Sequence, residues 1–394
     1  MTAEPPTLAS EAGTDAADLE IAVIGAGAVG VTAAYHLARE GASVTLYERG
    51  TVGSGSSGRA AGICYNAFAD ELDAEIGRES IERFRALSGD ETFPFVECPY
   101  VWAAKEGETD AKEAIAEQVQ RMQANGTIAL EMDGTALGDR FPALRTDSIA
   151  IAGVAGAAGY TDPARYTATM AAAATGAGAT LETETPVAIE RDPLSIRLTD
   201  SDERRAVDRV LVAAGAHSKA VVEAAGLELA MKPYRVQAVT ASISDASPLE
   251  GPMYYDATEG FYIRPHETGL LIGDGVSTRE ADPDDWMSEA DADFVSTAIE
   301  RVRTRFRDQN ESPLEVQPER SWAGLCTATP DRDPLVGELH DGMYVATGFH
   351  GEGFMRAPAI GERLATQLLG GDGIDAFDPT RVSGTKPFEI RDGI

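Results

Sequence analysis

The chain has 394 residues, with 65 Asp and Glu against 33 Lys and Arg and a formal net charge of −32. Its length predicts two to three domains around a large core, and its charge argues against nucleic acid, whose phosphates need a basic patch. No run of eighteen apolar residues offers a membrane-spanning helix.

Only five basic residues are lysines (Lys105, Lys112, Lys219, Lys232 and Lys386), and the acidic residues are spread along the whole chain. The pattern is that of proteins from extreme halophiles, where salt screens self-repulsion, or of a merely acidic protein. Residues 1–18 lack a basic start and an apolar stretch, so they read as a disordered acidic tail and not a signal peptide. Cys64, Cys98 and Cys326 are far apart and odd in number, which points to a reducing, cytoplasmic compartment. Neither they nor the five histidines (His36, His217, His266, His340 and His350) have metal-ligand spacing, and no metal is expected.

In chain order, Ile21 to Ile24 form a short apolar run typical of a buried parallel strand. Gly25, Gly27 and Gly30 then spell G-x-G-x-x-G, and a helix follows from about Val29 to Glu40, with Ala28 and Val29 as cofactor contacts near its start. Glycine permits the tight turn, the approach of a pyrophosphate and the packing of helix on strand, while the helix start attracts phosphate. Val44 to Tyr47 form the next strand, ended by Glu48, whose carboxylate suits a ribose 2′-hydroxyl. The fingerprint alone does not separate NAD from FAD. Where an NAD fold usually continues into another strand–helix unit, residues 49–62 run from Arg49 through a loop of small residues. Ser56, Ser57, Arg59, Ala60, Ala61 and Gly62 can lie along a cofactor, with Arg59 near phosphate, or form a plain flexible loop.

Residues 80–155 carry a helical acidic segment, AKEAIAEQVQRMQANG, and little recognisable chemistry. Asp162-Pro163 is an N-cap followed by proline at the first helical position, opening a helix to about Thr175. Leu181 to Val187 and Arg209 to Ala213 read as strands, the second ending at Ala214-Gly215-Ala216. Residues 231–320 alternate apolar and polar in the short runs QAVTASIS, GFYIRP and GLLIGDG, the signature of an antiparallel sheet. Gly342 to Ala346 form a strand, and Ile360, Leu364 and Leu368 recur at helical spacing. The stretch GFHGEGFMRAP between them (348–358) is a ligand loop at a helix start, or a hinge.

These motifs together resemble the FAD-dependent D-amino-acid oxidase superfamily, in its branch of glycine, sarcosine and D-amino-acid oxidases and dehydrogenases. The resemblance is carried by GAGAVG with Glu48, GSGSSGRAAG, YTDPARYTATMAAAATGAGATLETETPV, VDRVLVAAGAHS, GFYIRP, WAGLCTATPDRDPLVG and GMYVATGFHGEGFMRAPAIGE. They stand in the family's order from residue 19 to about 370. It implies an α/β chain, α+β overall, in which a Rossmann-like FAD-binding domain is discontinuous (19–79, 156–230 and 321–370). A substrate domain (80–155 and 231–320) is built on an antiparallel sheet over the flavin, and 371–394 is a C-terminal tail.

The resemblance also implies roles. The backbone at Val187 holds adenine, or Val187 is simply an edge-strand residue, and Ala214 and Gly215 lie over the nucleotide half. The loop Gly351, Glu352, Gly353, Phe354 and Met355 sits beneath the flavin pyrimidine, and Asp331 lies in the block nearby. Some relatives attach FAD through a cysteine whose position falls near Gly324, so with Cys326 displaced the FAD is expected to be non-covalent. The implied reaction oxidises a small amino or N-methylamino acid by hydride transfer to flavin N5, followed by imine hydrolysis. Arg264 is expected to hold the substrate carboxylate, or to be a surface arginine. Tyr254, Tyr255 and Tyr262 shape the pocket or pack the sheet, and His350 and His266 keep a 2-hydroxy acid substrate open. Relatives often read G-F-S-G-H-G-F here, so Glu352 is expected to turn away or pair with Arg356. Oxidases of this kind often place a lysine over the flavin. Lys232 is the only lysine in a core-like block, with a solvent-facing reading favoured, and relatives' second lysine is Met355 here, which leans toward a dehydrogenase. Oxygen or an electron carrier is the expected acceptor, and a homo-oligomer or a flavin-holding subunit of a larger electron-transfer complex stays open.

Overall fold

The computed structural model describes residues 16–89, 92–243, 251–274, 278–308 and 312–391. Most of the expected N-terminal tail, residues 392–394, and the ends of two expected strands at Ser244 and Gly275 lie outside those residues. A six-stranded sheet runs in the order Leu335–His340, Met343–Thr347, Arg209–Val212, Glu20–Ile24, Ser43–Tyr47, Thr180–Glu182. Its inner pairs are parallel and the Leu335–His340 edge is antiparallel. The chain moves outward from Glu20–Ile24 through two strands, then returns to its other side with Arg209–Val212. Strand order therefore reverses between Glu20–Ile24 and Arg209–Val212, which opens a crevice at their carboxyl ends. Ile21, Val23, Val210, Leu211 and Val212 are all buried, as expected of strands covered on both faces.

Three helices cover one face of this sheet: Ala28–Arg39, Pro163–Gly176 and Gly353–Leu368. Asp162 caps the second by accepting the amides of Ala164 and Arg165, with Pro163 at its first position. The other two cross closely because Gly361 has no side chain. A Cβ there would lie 2.6 Å from Thr32 Cβ and 3.0 Å from the Ala33 nitrogen.

An eight-stranded sheet stands beside the first, in the order Val316–Ala328, Lys232–Ile243, Gly269–Asp274, Phe261–His266, Met253–Asp256, Tyr100–Lys105, Ile149–Ala155, Ala129–Met132. One face packs on the helix Ala292–Arg305 around Ile263, Ile272 and Phe306. The expected antiparallel sheet is in fact mixed. Met253–Asp256 runs parallel to Tyr100–Lys105, at the join between the two separated chain segments.

Several expected boundaries move. The strand placed at 181–187 breaks after Glu182, because Glu184 has φ 52° and Pro186 lacks an amide donor. Val187 instead begins a three-stranded antiparallel sheet with Leu194–Leu198 and Arg204–Ala206. The boundary at 320/321 falls inside the strand Val316–Ala328, and the one at 79/80 falls inside the helix Glu71–Leu87. Ile76, Ile81 and Phe84 of that helix belong to the core of the first sheet. Residues 371–391 are no loose tail: Phe377 is buried, and Ile390 packs with Tyr234 and Ala328.

Gly361→Ala is expected to destabilise the protein by about 1–3 kcal/mol through overpacking against Thr32, read from the midpoint of chemical denaturation.

Candidate functional site

A cavity of about 2000 Å³ is lined by residues from the carboxyl ends of the first sheet and from the eight-stranded sheet. It exceeds the roughly 300–1,000 Å³ that accommodates a single small ligand. At the crevice, the backbone comes too close for side chains. A Cβ at Gly25 (φ 108°) would lie 2.5 Å from the Ala213 carbonyl oxygen. Gly27, Ala28 and Val29 line the cavity. Gly30 does not; its Cβ would lie 2.0 Å from the Gly25 carbonyl, so it serves helix–strand packing. Intrahelical bonding begins where the Val31 amide reaches Gly27 O (3.0 Å), and the Ala28 amide donates to Ser57 Oγ (2.9 Å). Glu48 is held at the rim by the amides of Ala26 (2.9 Å) and Gly50 (2.8 Å).

The small-residue loop after Glu48 is fastened to the second sheet. Ser56 Oγ donates to Leu325 O (2.6 Å), Trp322 Nε1 donates to Arg59 O (2.9 Å), and Arg59 donates to the carbonyls of Ser54 and Gly55. Arg49, Ser56, Ser57, Arg59, Ala60, Ala61 and Gly62 all line the cavity, as do Val187, Ala214, Gly215 and Gly324. Asp331 does not. Both of its oxygens accept from Arg381, at 2.9 and 3.0 Å.

The glycine–histidine loop supplies another wall through Gly351, Glu352, Gly353, Phe354 and Met355, and the helix Gly353–Leu368 starts there. Glu352 pairs with Arg356, as expected, at 2.5 Å. Arg356 is 5% exposed, also bonds Asp73, and lies over the Phe68 ring. The other Glu352 oxygen accepts from the Tyr65 hydroxyl at 3.1 Å. His350 lines the cavity, yet its Nε2 accepts the Thr329 amide (2.9 Å), which fixes the neutral ring with its proton on Nδ1. Burial, aided by Arg332 and Arg356, lowers its pKa to about 4.

Two expectations for the second sheet need correction. Arg264 lies off the cavity. It shares the strand face of Tyr262 but donates from Nε to Ala61 O (2.5 Å) and from Nη1 to Pro265 O (2.6 Å), over the Tyr160 ring. Its Nε thus pins the small-residue loop, while Nη1 bonds its own strand. Tyr254 also lies off the cavity, bonded to Asp256 (3.3 Å) in the core beneath the sheet. Tyr255 faces the cavity in its place, and Tyr262 lines it across from Gly273. Adjacent tyrosines on a strand buried on both faces carry no hydropathic sign of which points where.

Sequence reasoning missed the aromatic wall of Tyr65, Tyr100 and Trp102. Tyr65 and Tyr100 stack with centroids 4.3 Å apart, and Trp102 follows at 5.9 Å from Tyr100. Residues 100 and 102 are two apart on a strand, a spacing that signals one shared face. The helix Thr109–Ala124 adds Ile115, Gln118 and Met122, so the segment read as poor in chemistry builds much of this wall.

The fold and the crevice define a dinucleotide-binding α/β protein with an appended sheet. Residues 20–367 match the family model DAO, FAD dependent oxidoreductase, and the chain belongs to that family. It is 25% identical to glycine oxidase of Bacillus licheniformis, over 91% of this chain and 96% of that one. It is 28% identical to mitochondrial dimethylglycine dehydrogenase of Homo sapiens, over 96% of this chain but only 46% of that protein's length. Among solved structures, L-proline dehydrogenase from P. horikoshii superposes with a TM-score of 0.81 at 26% identity, over 92% of this chain and 97% of that one.

Arg264→Met is expected to lower stability by about 2 kcal/mol, from lost hydrogen bonds of a charged group, without raising the KM of a carboxylate substrate. The His350 ring is expected to stay neutral from pH 8 down to about 5, which a histidine NMR titration checks. Because its folded pKa is depressed, the unfolded chain binds more protons. Stability present above about pH 6.5 is therefore lost as pH falls toward about 4.

Proposed function

We propose that the chain binds FAD non-covalently in this cavity and oxidises the C–N bond of a small amino or N-methylamino acid. The carrying observation is one continuous cavity that joins the Gly25–Gly27 crevice and Glu48 to the aromatic wall and the Glu352–Met355 loop. Its volume and the side-chain-free backbone at Gly25 fit a dinucleotide. Glu48 would hold ribose hydroxyls, the amides at Ala28 and Val29 with Ser57 the pyrophosphate, and the backbone near Val187 the adenine. The helix start at Gly353 to Met355 would place partial positive charge at the flavin pyrimidine edge. The bound flavin supplies a two-electron acceptor at N5, and the resulting imine is hydrolysed in water. Tyr65, Tyr100, Trp102, Tyr255 and Tyr262 exclude water and orient the substrate.

Burial pushes the Cys326 thiol up to about 12, so it stays protonated and a poor nucleophile, in keeping with non-covalent binding. Relatives named for glycine, dimethylglycine and L-proline support an amino or N-methylamino acid. A 2-hydroxy acid is the weaker reading, since the His350 nitrogen that would take a hydroxyl proton already accepts an amide. A dehydrogenase is favoured over an oxidase: Lys232 is paired with Glu280 at 3.0 Å, and no lysine lines the cavity among the described residues. No helix among those residues is long and apolar enough to cross a membrane. We place the protein in a salt-rich cytoplasm on the strength of its dispersed acidic residues and unpaired cysteines.

Protein purified at high salt is expected to carry FAD whose visible absorbance bleaches anaerobically with amino or N-methylamino acids and not with 2-hydroxy acids, with little peroxide formed in air. A chain that never takes up FAD refutes the proposal. Glu48→Ala is expected to weaken FAD binding about ten- to hundred-fold, the loss of one or two charged hydrogen bonds, read by flavin fluorescence.

A further inference from the structure

An amine gives up hydride from its neighbouring carbon only when its nitrogen is neutral and its lone pair can form the imine. Free alkylamines titrate near the lysine range, about 10, so a substrate that binds as ammonium at neutral pH has to pass a proton to some group. Several cavity residues are poor recipients. His350 already accepts the Thr329 amide, and burial keeps the hydroxyls of Tyr65, Tyr100, Tyr234 and Tyr262 protonated. Asp274 is the rival recipient, since burial raises its pKa, although it accepts the backbone amide of Gln237 at 2.6 Å and its side-chain amide at 3.4 Å.

Resting on the amine-oxidation reading above, we infer that Glu352 is the general base that takes the substrate ammonium proton, relayed through the hydroxyl of Tyr65. The direction of one hydrogen bond carries the argument. Tyr65 donates to Glu352 Oε1 at 3.1 Å, so its oxygen keeps lone-pair capacity to accept an N–H. Both residues line the cavity. In the step, an ammonium N–H bond breaks and its proton goes to the Tyr65 oxygen while the phenolic proton passes to Glu352 Oε1. The products are a neutral amine, an unchanged tyrosine and a protonated carboxyl, and no electrons change hands.

The charges around Glu352 suit this transfer. It faces Arg356 on its own helix, Asp73 on Glu71–Leu87, Tyr65, Tyr100, and Tyr234 on Lys232–Ile243, with His350 two residues before it. Arg356 serves both Glu352 and Asp73, so the three charged groups sum to one negative charge that attracts an ammonium. Arrival of the proton makes the trio neutral. That removes negative charge beside the helix start just as the chemistry delivers electrons to the same end of the cavity.

The test is the pH dependence of anaerobic flavin reduction by sarcosine in the FAD-loaded protein. Glu352→Gln is expected to cut kcat/KM about a hundred-fold at pH 7, with the deficit shrinking steadily as pH rises toward about 10 and free amine becomes abundant. Tyr65→Phe should show the same pH-restored defect, which keeps the inference testable if the glutamine variant does not fold. Infrared difference spectra of substrate-reduced against oxidised protein should contain a protonated-carboxyl band that Glu352→Gln lacks. A deficit equal at every pH, absence of that band from the unaltered protein, or transfer of the whole effect to Asp274→Asn would overturn it. If no amine bleaches the flavin at all, the amine-oxidation reading itself fails, and that outcome is distinct from these.

Discussion

The site depends on one steric constraint, the approach of Gly25 to the carbonyl of Ala213. Two parallel strands diverge there because the chain adds strands first to one side of Glu20–Ile24 and then to the other. The crevice opens only if the turns leaving both strands stay small. A side chain at residue 25 would meet backbone, which cannot swing aside as a lysine tip can. Once the turn is tight, the helix Ala28–Arg39 starts at the crevice with its amides pointing into it, and Gly30 lets that helix lie on the strand. Glu48, at the end of the neighbouring strand, bonds back to the Ala26 amide of the same turn. Turn, helix start and acid are therefore one rigid unit.

The second sheet is tied to this unit by polar contacts as well as by apolar packing. Arg264 is the clearest case: a guanidinium from the middle of that sheet donates to a carbonyl of the loop that follows Glu48. Burial lowers its pKa, since desolvation disfavours the charge, and its bonds to Ala61 and Pro265 reach carbonyls instead of a carboxylate. Such an arrangement fixes the distance between the two sheets, and hence the height of the cavity between them. Arg356 does similar work at the other end. Its bonds to Glu352 and Asp73 join the glycine–histidine loop to the helix Glu71–Leu87. Breaking one member of such a buried group leaves an uncompensated charge, which is costlier than the pair is worth in its intact form.

How far the sequence could be read follows from what each signal encodes. The elements of the first sheet were legible because glycine spacing, N-caps and apolar runs report local backbone geometry directly: Asp162-Pro163 does cap a helix, and Gly25 does need a positive φ. The pairing of Glu352 with Arg356 was legible because four residues is one helical turn. Side-chain direction on the second sheet was not. Strands buried on both faces lose the polar–apolar alternation that sets phase, so nothing local separates Tyr254, which lies in the core, from Tyr255, which faces the cavity. Arg264 failed for a different reason: its face was right, but which carbonyls compete for its donors is a tertiary fact. Tyr65 meets Tyr100 and Trp102 only after Ile63–Tyr65 pairs with Ala158–Thr161 and Tyr100–Lys105 pairs with Ile149–Ala155. No local window contains those pairings.

The distribution of charge gives the last step. The whole chain carries −32, yet the residues lining the cavity include seven arginines (Arg49, Arg59, Arg279, Arg301, Arg332, Arg356 and Arg391) and eight carboxylates. The cavity is therefore close to neutral, and nearly all the excess negative charge lies elsewhere on the molecule. An anionic dinucleotide approaching such a chain meets a repulsive field at long range, which salt screens within a Debye length of about 8 Å at physiological strength and about 3 Å at 1 M. Once inside, it faces fixed amides and balanced ion pairs whose short-range contacts are screened much less. High salt should thus speed capture of the cofactor more than it weakens its hold. That asymmetry follows from placing most acidic residues outside and nearly equal numbers of arginines and carboxylates within.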